Sequence, residues 1–174
     1  SNNRFFSKNP ERGDLVVFKT PADNRTDYIK RLIGMPGDKI QFVDGNLIIN
    51  NKQVKKKPLQ NITKIRCGNF ILETDAFVET LPNGVEYLTV YKKKGSLQNS
   101  MEFKVPENHY FLLGDNRDCS KDSRYLKSVG YVRNLNLVGK ARIIFFSNDT
   151  NTSSLIKFWR LKDSFRSDRF FQKL

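Results

Sequence analysis

Of the 31 lysines and arginines in this 174-residue chain, one stands where its type is least expected. Lys30 lies inside Asp27-Tyr28-Ile29-Lys30-Arg31-Leu32-Ile33-Gly34-Met35-Pro36-Gly37-Asp38, a β-branched and aromatic run closed by the turn signal Pro36-Gly37. A strand alternates its side chains between two faces, so Tyr28, Lys30 and Leu32 point one way and Asp27, Ile29, Arg31 and Ile33 the other. Lys30 therefore shares its face with apolar groups, while Asp27 projects to the opposite side. A free lysine, with a pKa of about 10.4, is a poor base near neutrality, but burial among apolar groups disfavours the ammonium form. Lowering that pKa by roughly two units takes about 2.7 kcal/mol of differential solvation. The chemistry this placement points to is general-base catalysis by a neutral amine. On the tripeptide alone the plainer alternative is an exposed strand lysine.

A second chemically dense stretch is Gly114-Asp115-Asn116-Arg117-Asp118-Cys119-Ser120-Lys121-Asp122-Ser123-Arg124, directly after the apolar strand 110–113. Catalytic and binding groups are commonly mounted on loops of this kind. Read without function, it is a tight turn knitted by Asx hydrogen bonds and Asp–Arg pairs. His109 is the single histidine and has no partner for a metal site, and Cys67 and Cys119 form neither a CxxC pair nor a Cys/His cluster. No metal and no cofactor is expected. The two cysteines are far apart and lie in segments of different character, so two free thiols are expected.

The elements that must position these groups are mostly strands. Arg12-Gly13-Asp14 reads as a turn leading into Leu15-Val16-Val17-Phe18, which forms a hairpin with Asp27–Ile33 across a long loop. Phe18 then reaches the same apolar surroundings as Lys30. Ile40–Val43 and Leu47–Ile49 flank the turn Asp44-Gly45. Between Asn50 and about Ser100 the chain is rich in lysine and asparagine, with weak strands at 76–80 and 86–91, and reads as an inserted lobe. Core character resumes at Phe103 and ends with a strand over Val138–Phe146. Residues 147–174 form a basic aromatic tail with Phe158, Trp159, Arg160, Phe165, Arg166, Arg169, Phe170 and Phe171, suited to packing on the core or to an anionic bilayer surface.

A formal net charge of +13 and a mean hydropathy of -0.57 indicate a soluble body attractive to anionic partners. No apolar run approaches the roughly 18 residues that span a bilayer. Solvated loops account for Lys55-Lys56-Lys57 and Lys92-Lys93-Lys94. A basic β module binding nucleic acid or anionic membrane is the rival reading, although no nucleic acid partner is expected.

Three runs in this order, RGDLVVF, YIKRLIGMPGD and GDNRDCSKDSR, resemble those of bacterial type I signal peptidases, the membrane-bound serine proteases that remove signal peptides from exported proteins. The resemblance covers roughly Glu11–Val43 and Val105–Phe146. It implies a mostly β fold: a signal-peptidase-like antiparallel sheet core of residues 1–43 and 105–146, with a smaller β lobe inserted at 44–104. It implies that Lys30 is the general base and that Ser120 hydrogen-bonds and orients it. Phe18, Tyr28 and Leu112 would wall the amine from water, and Arg31–Asp115 and Asp122–Arg124 would be ion pairs supporting the site. A preprotein would bind as an added strand beside Asp27, Tyr28 and Ile29, with Ile29 shaping pockets for the small residues of an Ala-x-Ala signature. The implied setting is the extracytoplasmic side of the bacterial inner membrane, at the membrane surface. Two departures stand out. Cys119 takes a place where asparagine is common. The nucleophile of the family, a serine in a Ser-Met-x-Pro-Thr type motif ahead of the RGD-containing strand, has no counterpart here. Ser7 is too close to that strand, so the expectation is a fragment inactive by itself.

Overall fold

Apolar runs of a few residues broken by glycine, proline and asparagine favour strands and tight turns, and the computed structural model of the chain is built from them. It describes residues 9–141, 143–144 and 172–173. In chain order the strands are β1 (Leu15–Lys19), β2 (Asp27–Gly34), β3 (Lys39–Val43), β4 (Asn46–Ile49), β5 (Lys52–Gln53), β6 (Lys55–Cys67), β7 (Phe70–Thr80), β8 (Glu86–Lys92), β9 (Phe103–Lys104), β10 (His109–Leu113), β11 (Val132–Arg133), β12 (Leu137–Lys140), β13 (Ile143–Ile144) and β14 (Gln172–Lys173). Two 3-10 turns, Arg117–Cys119 and Asn134–Asn136, are the helical elements among the described residues. No helix there is long and apolar enough to cross a membrane.

The strands form a five-stranded sheet in the order β11-β10-β2-β1-β12, a four-stranded sheet β5-β4-β3-β9 and a three-stranded sheet β6-β7-β8. Every ladder between these strands is antiparallel. Residues up to Lys140 make one compact unit and those from Ala141 a second, in which β13 pairs with β14. The mostly β fold is therefore as the sequence implies. The strands on either side of residue 43 share one sheet, because β3 and β4 form a hairpin across Asp44 and Gly45. Both turn residues adopt left-handed backbone, with φ of 47° and 73°, the geometry whose twist matches a two-residue hairpin.

Three readings need correction. The stretch from Lys55 to Cys67 is a strand of 13 residues: its outward lysines mask the alternation, while Lys56 lays its stem inward, with Nζ 4.3 Å from the Phe77 ring and 3.8 Å from that of Tyr91. The single strand expected over Val138–Phe146 is interrupted: β12 ends at Lys140, where its ladder with β1 runs out at Val16↔Lys140, Ile143–Ile144 is a separate strand paired with β14, and residues 142, 145 and 146 lie outside the described residues. Cys67 and Cys119 are not free thiols. They form a disulfide, their Cα atoms 5.7 Å apart, since the β6–β7 ribbon carries its end to the 3-10 turn that holds Cys119. The aromatic tail at 158–171 lies outside the described residues.

Two apolar clusters hold the first unit together. One gathers Val16, Phe18, Leu32, Tyr110, Leu112, Val129, Val132 and Leu137, with Tyr28 packed against it. The other contains Ile33, Ile40, Phe42, Leu47, Phe103, Phe111 and Leu113. Strands β2 and β10 contribute to both, Leu32 and Leu112 to one side, Ile33, Phe111 and Leu113 to the other. Their central residues are buried on both faces, which fixes the register of the strand that bears Lys30.

Candidate active site

The β1–β2 hairpin sets Lys30 in place. Val16 lies opposite Lys30 and Phe18 opposite Tyr28, so these four side chains share a face with Leu32, whose partner in β10 is Leu112. The loop closing the hairpin is tied by Asp23, which accepts from the Thr20 hydroxyl at 2.6 Å, the Thr26 hydroxyl at 2.5 Å and the amides of Arg25 and Thr26. These bonds, the Thr20 one foremost, hold its carboxyl far below the usual range. Phe18 and Leu112 are fully buried, and Phe18 meets Tyr28 edge to face with centroids 6.1 Å apart. Lys30 Nζ stands 5.3 Å from the Tyr28 ring centroid and donates to the Ile29 carbonyl at 3.1 Å.

Burial pushes the Lys30 amine below its ordinary value, and the carboxylates of Asp122 and Asp115 oppose that only in part. Lys56 is lowered by the same desolvation, so a depressed amine does not by itself mark a reactive site. What sets Lys30 apart is its setting. It lines a cavity of about 280 Å³ with Ile29, Gly114, Asp115, Cys119 and Ser120.

The second wall of that cavity is the loop after β10. Arg31 donates to Asp115 in a two-pronged pair, Nε to Oδ1 at 2.8 Å and Nη2 to Oδ2 at 2.7 Å, while its Nη1 reaches the Gly13 carbonyl at 2.7 Å. Asp122, fully buried, accepts from Arg124 Nε at 2.8 Å and Nη2 at 2.8 Å, and from the Gly114 amide at 3.0 Å. Ser123 exchanges hydrogen bonds with the backbone of Leu112, its hydroxyl accepting from the Leu112 amide at 2.8 Å. Both ion pairs named from the sequence are thus present. Lys30 and Ser120 share the cavity but are not hydrogen-bonded to each other. The Ser120 hydroxyl is buried without a partner, because it packs onto Gly114, where any Cβ would overlap it.

Sequence reasoning missed the group that supports this loop from beneath. Arg117 is completely enclosed and pairs with Glu79 of β7 through both nitrogens, at 2.9 and 2.6 Å. The hydroxyls of Tyr87 and Tyr91 in β8 donate to the same carboxylate at 2.7 and 2.6 Å and accept from Arg117 at 2.9 and 2.5 Å. Burial pushes Glu79 up, but the Arg117 charge and these hydrogen bonds outweigh it and leave the carboxyl below its ordinary value. The available signal was the alternation Tyr87, Thr89, Tyr91, which puts two hydroxyls on one inward face where each needs a partner.

Residues 2–146 match the family model described as "Signal peptidase, peptidase S26". The chain belongs to the signal peptidase family. Among its relatives, signal peptidase I of Rickettsia typhi is 41% identical over 193 residues, covering 98% of this chain and 68% of the relative. That of Rickettsia akari is 40% identical over 190 residues with the same coverage. A solved signal peptidase I from Enterococcus faecalis aligns with 76% of this chain and 97% of its own at 28% identity and a TM-score of 0.45, a likeness too loose to bear on the fold. The cavity between β2 and the loop after β10 thus lies in the part of the chain that matches the signal peptidase family.

Proposed function

We propose that this chain is the extracytoplasmic catalytic region of a serine-type signal peptidase I, in which Lys30 is the general base of a Ser/Lys dyad. The observation that carries the reading is a half-buried amine lining a cavity beside a strand edge that no other described strand pairs. Among the described residues only β1 accompanies β2 along Asp27–Lys30, because the ladder from β10 reaches no further than Arg31. The Leu32 amide bonds to Asp14 on the β1 side, so by alternation the N–H and C=O of Asp27 and Ile29 face the open edge. A preprotein segment added there gains main-chain hydrogen bonds, and Ile29 beside the cavity favours small side chains of the Ala-x-Ala type. The substrate N–H that pairs with the Ile29 carbonyl takes the place of the Lys30 amine. Released, the amine turns to the partnerless Ser120 hydroxyl, which orients it.

The chemistry is acyl transfer. Neutral Lys30 takes the proton of a serine hydroxyl supplied by a segment outside this sequence, and the serine oxygen attacks the scissile carbonyl. The resulting ammonium passes a proton to the departing amine as the C–N bond breaks, leaving an acyl-enzyme. The same amine then takes a proton from water for deacylation. Phe18, Tyr28 and Leu112 keep the amine dry, and the pairs Arg31–Asp115 and Asp122–Arg124 fix the opposite wall. The chain by itself is predicted to be inactive, and the excess of positive charge suits a catalytic region working against the inner-membrane surface.

Lys30→Ala in the full-length enzyme tests this. Preprotein cleavage is expected to vanish while the protein stays folded by circular dichroism, and retained turnover would refute the assignment.

A further inference from the structure

The ribbon formed by β6 and β7 is longer than the sheet it belongs to. Strand β8 accompanies β7 only from Thr74 to Thr80, whereas β6 pairs with β7 out to Cys67↔Phe70. Outward of Glu73, whose carbonyl accepts from the Lys93 amide at 3.0 Å, the ribbon is two strands without a third among the described residues, a form that is marginal in water unless something fastens it. What fastens it is the bond from Cys67, the last residue of β6, to Cys119. Cys119 closes the 3-10 turn at Arg117–Cys119, precedes Ser120 and lines the same cavity as Lys30. The earlier residues of that loop have other holds: Asp118 accepts from the Lys92 amide at 2.7 Å, and Asn116 accepts from the Cys119 amide at 3.2 Å. The Ser120 hydroxyl has no hydrogen bond among the described residues. Its position depends on packing against Gly114, on the covalently held Cys119 before it and on Asp122 and Ser123 after it, which hydrogen-bond to Gly114 and Leu112.

We propose that the Cys67–Cys119 disulfide is a positioning element of the Lys30 cavity, one that clamps the end of the β6–β7 ribbon to the turn bearing Ser120 and makes the geometry of the cavity dependent on oxidation. A dithiol reductant breaks the S–S bond by supplying two electrons and two protons, becoming a cyclic disulfide and leaving two thiols on the chain. The freed ribbon and turn then admit water beside the Lys30 amine. The effect on cleavage rests on the function proposed above; the effect on the cavity does not.

The test acylates this chain with an N-hydroxysuccinimide ester over a range of pH and reads modification at Lys30 and at exposed Lys57 by peptide mass. In the cross-linked chain the Lys30 midpoint is expected below the ordinary lysine value. After dithiol reduction and alkylation it is expected to rise, so that acylation of Lys30 at a fixed, mildly alkaline pH slows roughly threefold while the acylation rate at Lys57 is unchanged. Cys67→Ser and Cys119→Asn are expected to reproduce the rise, and reduction of the unaltered chain provides the comparison should either variant fail to fold. A Lys30 midpoint indifferent to reduction in a chain that keeps its near-ultraviolet circular dichroism would overturn the proposal, as would two free thiols in the folded, air-oxidised chain. A midpoint that moves while Lys30→Ala still cleaves preprotein would sink the dyad and leave the clamp standing.

Discussion

A methyl group on Gly114 would overlap the hydroxyl and Cβ of Ser120, and this one contact explains why the loop after β10 begins with glycine. The requirement is for close approach, since Gly114 is not among the residues with positive φ. Gly114→Ala is therefore expected to displace Ser120 from the cavity at an overpacking cost of about 1–3 kcal/mol. Ser120→Ala removes the hydroxyl without the displacement. In the full-length enzyme it is expected to lower kcat by on the order of a hundredfold with KM little changed, and a near-normal kcat would show that Ser120 does not orient the amine. At this scale much was legible from the sequence, because the face shared by Tyr28, Lys30 and Leu32 follows from the two-residue period of a strand, a purely local property. The pairs Arg31–Asp115 and Asp122–Arg124 came from the family resemblance, not from any local rule.

The elements that brace the loop were less legible. Arg117 and Glu79 are 38 residues apart, and nothing local tells that β7 and the loop after β10 meet. Their pairing makes a distinct prediction. Glu79→Ala leaves the guanidinium of Arg117 buried and unpaired, a loss of about 3–5 kcal/mol, on the order of 10 °C in Tm. Glu79 titrates below its ordinary value in the folded state, so its contribution is complete above the unfolded carboxyl value of about 4.3 and is lost as pH falls through the folded one. Acid unfolding followed by circular dichroism is expected to show that loss, and Glu79→Gln to remove part of the pH dependence. Acid unfolding identical in both proteins would contradict the assignment. The disulfide was missed for a related reason. A separation of 52 residues between Cys67 and Cys119 carries no pairing information until the β6–β7 register is known, and β6 was hidden by its outward lysines.

Across the molecule, the sheet face that bears half-buried Lys30 is lined by buried residues drawn from most of the first unit. Val16 and Phe18 come from β1, Leu32 from β2, Leu112 from β10, Val132 from β11 and Leu137 from β12. The loop after β10 closes the cavity and is itself supported by Glu79, Tyr87 and Tyr91 from the three-stranded sheet. The net positive charge says nothing about the fold; the alternation within short strands says most of it. The ionisation of one amine therefore reports on the whole assembly. The most direct measurement is a pH titration of the lysine side-chain resonances of this chain by heteronuclear NMR, with Lys30→Arg to identify the signal. Lys30 is expected to lose its proton below the ordinary lysine value, because burial disfavours its ammonium form. A Lys30 midpoint at the free lysine value of about 10.4 would contradict that reading.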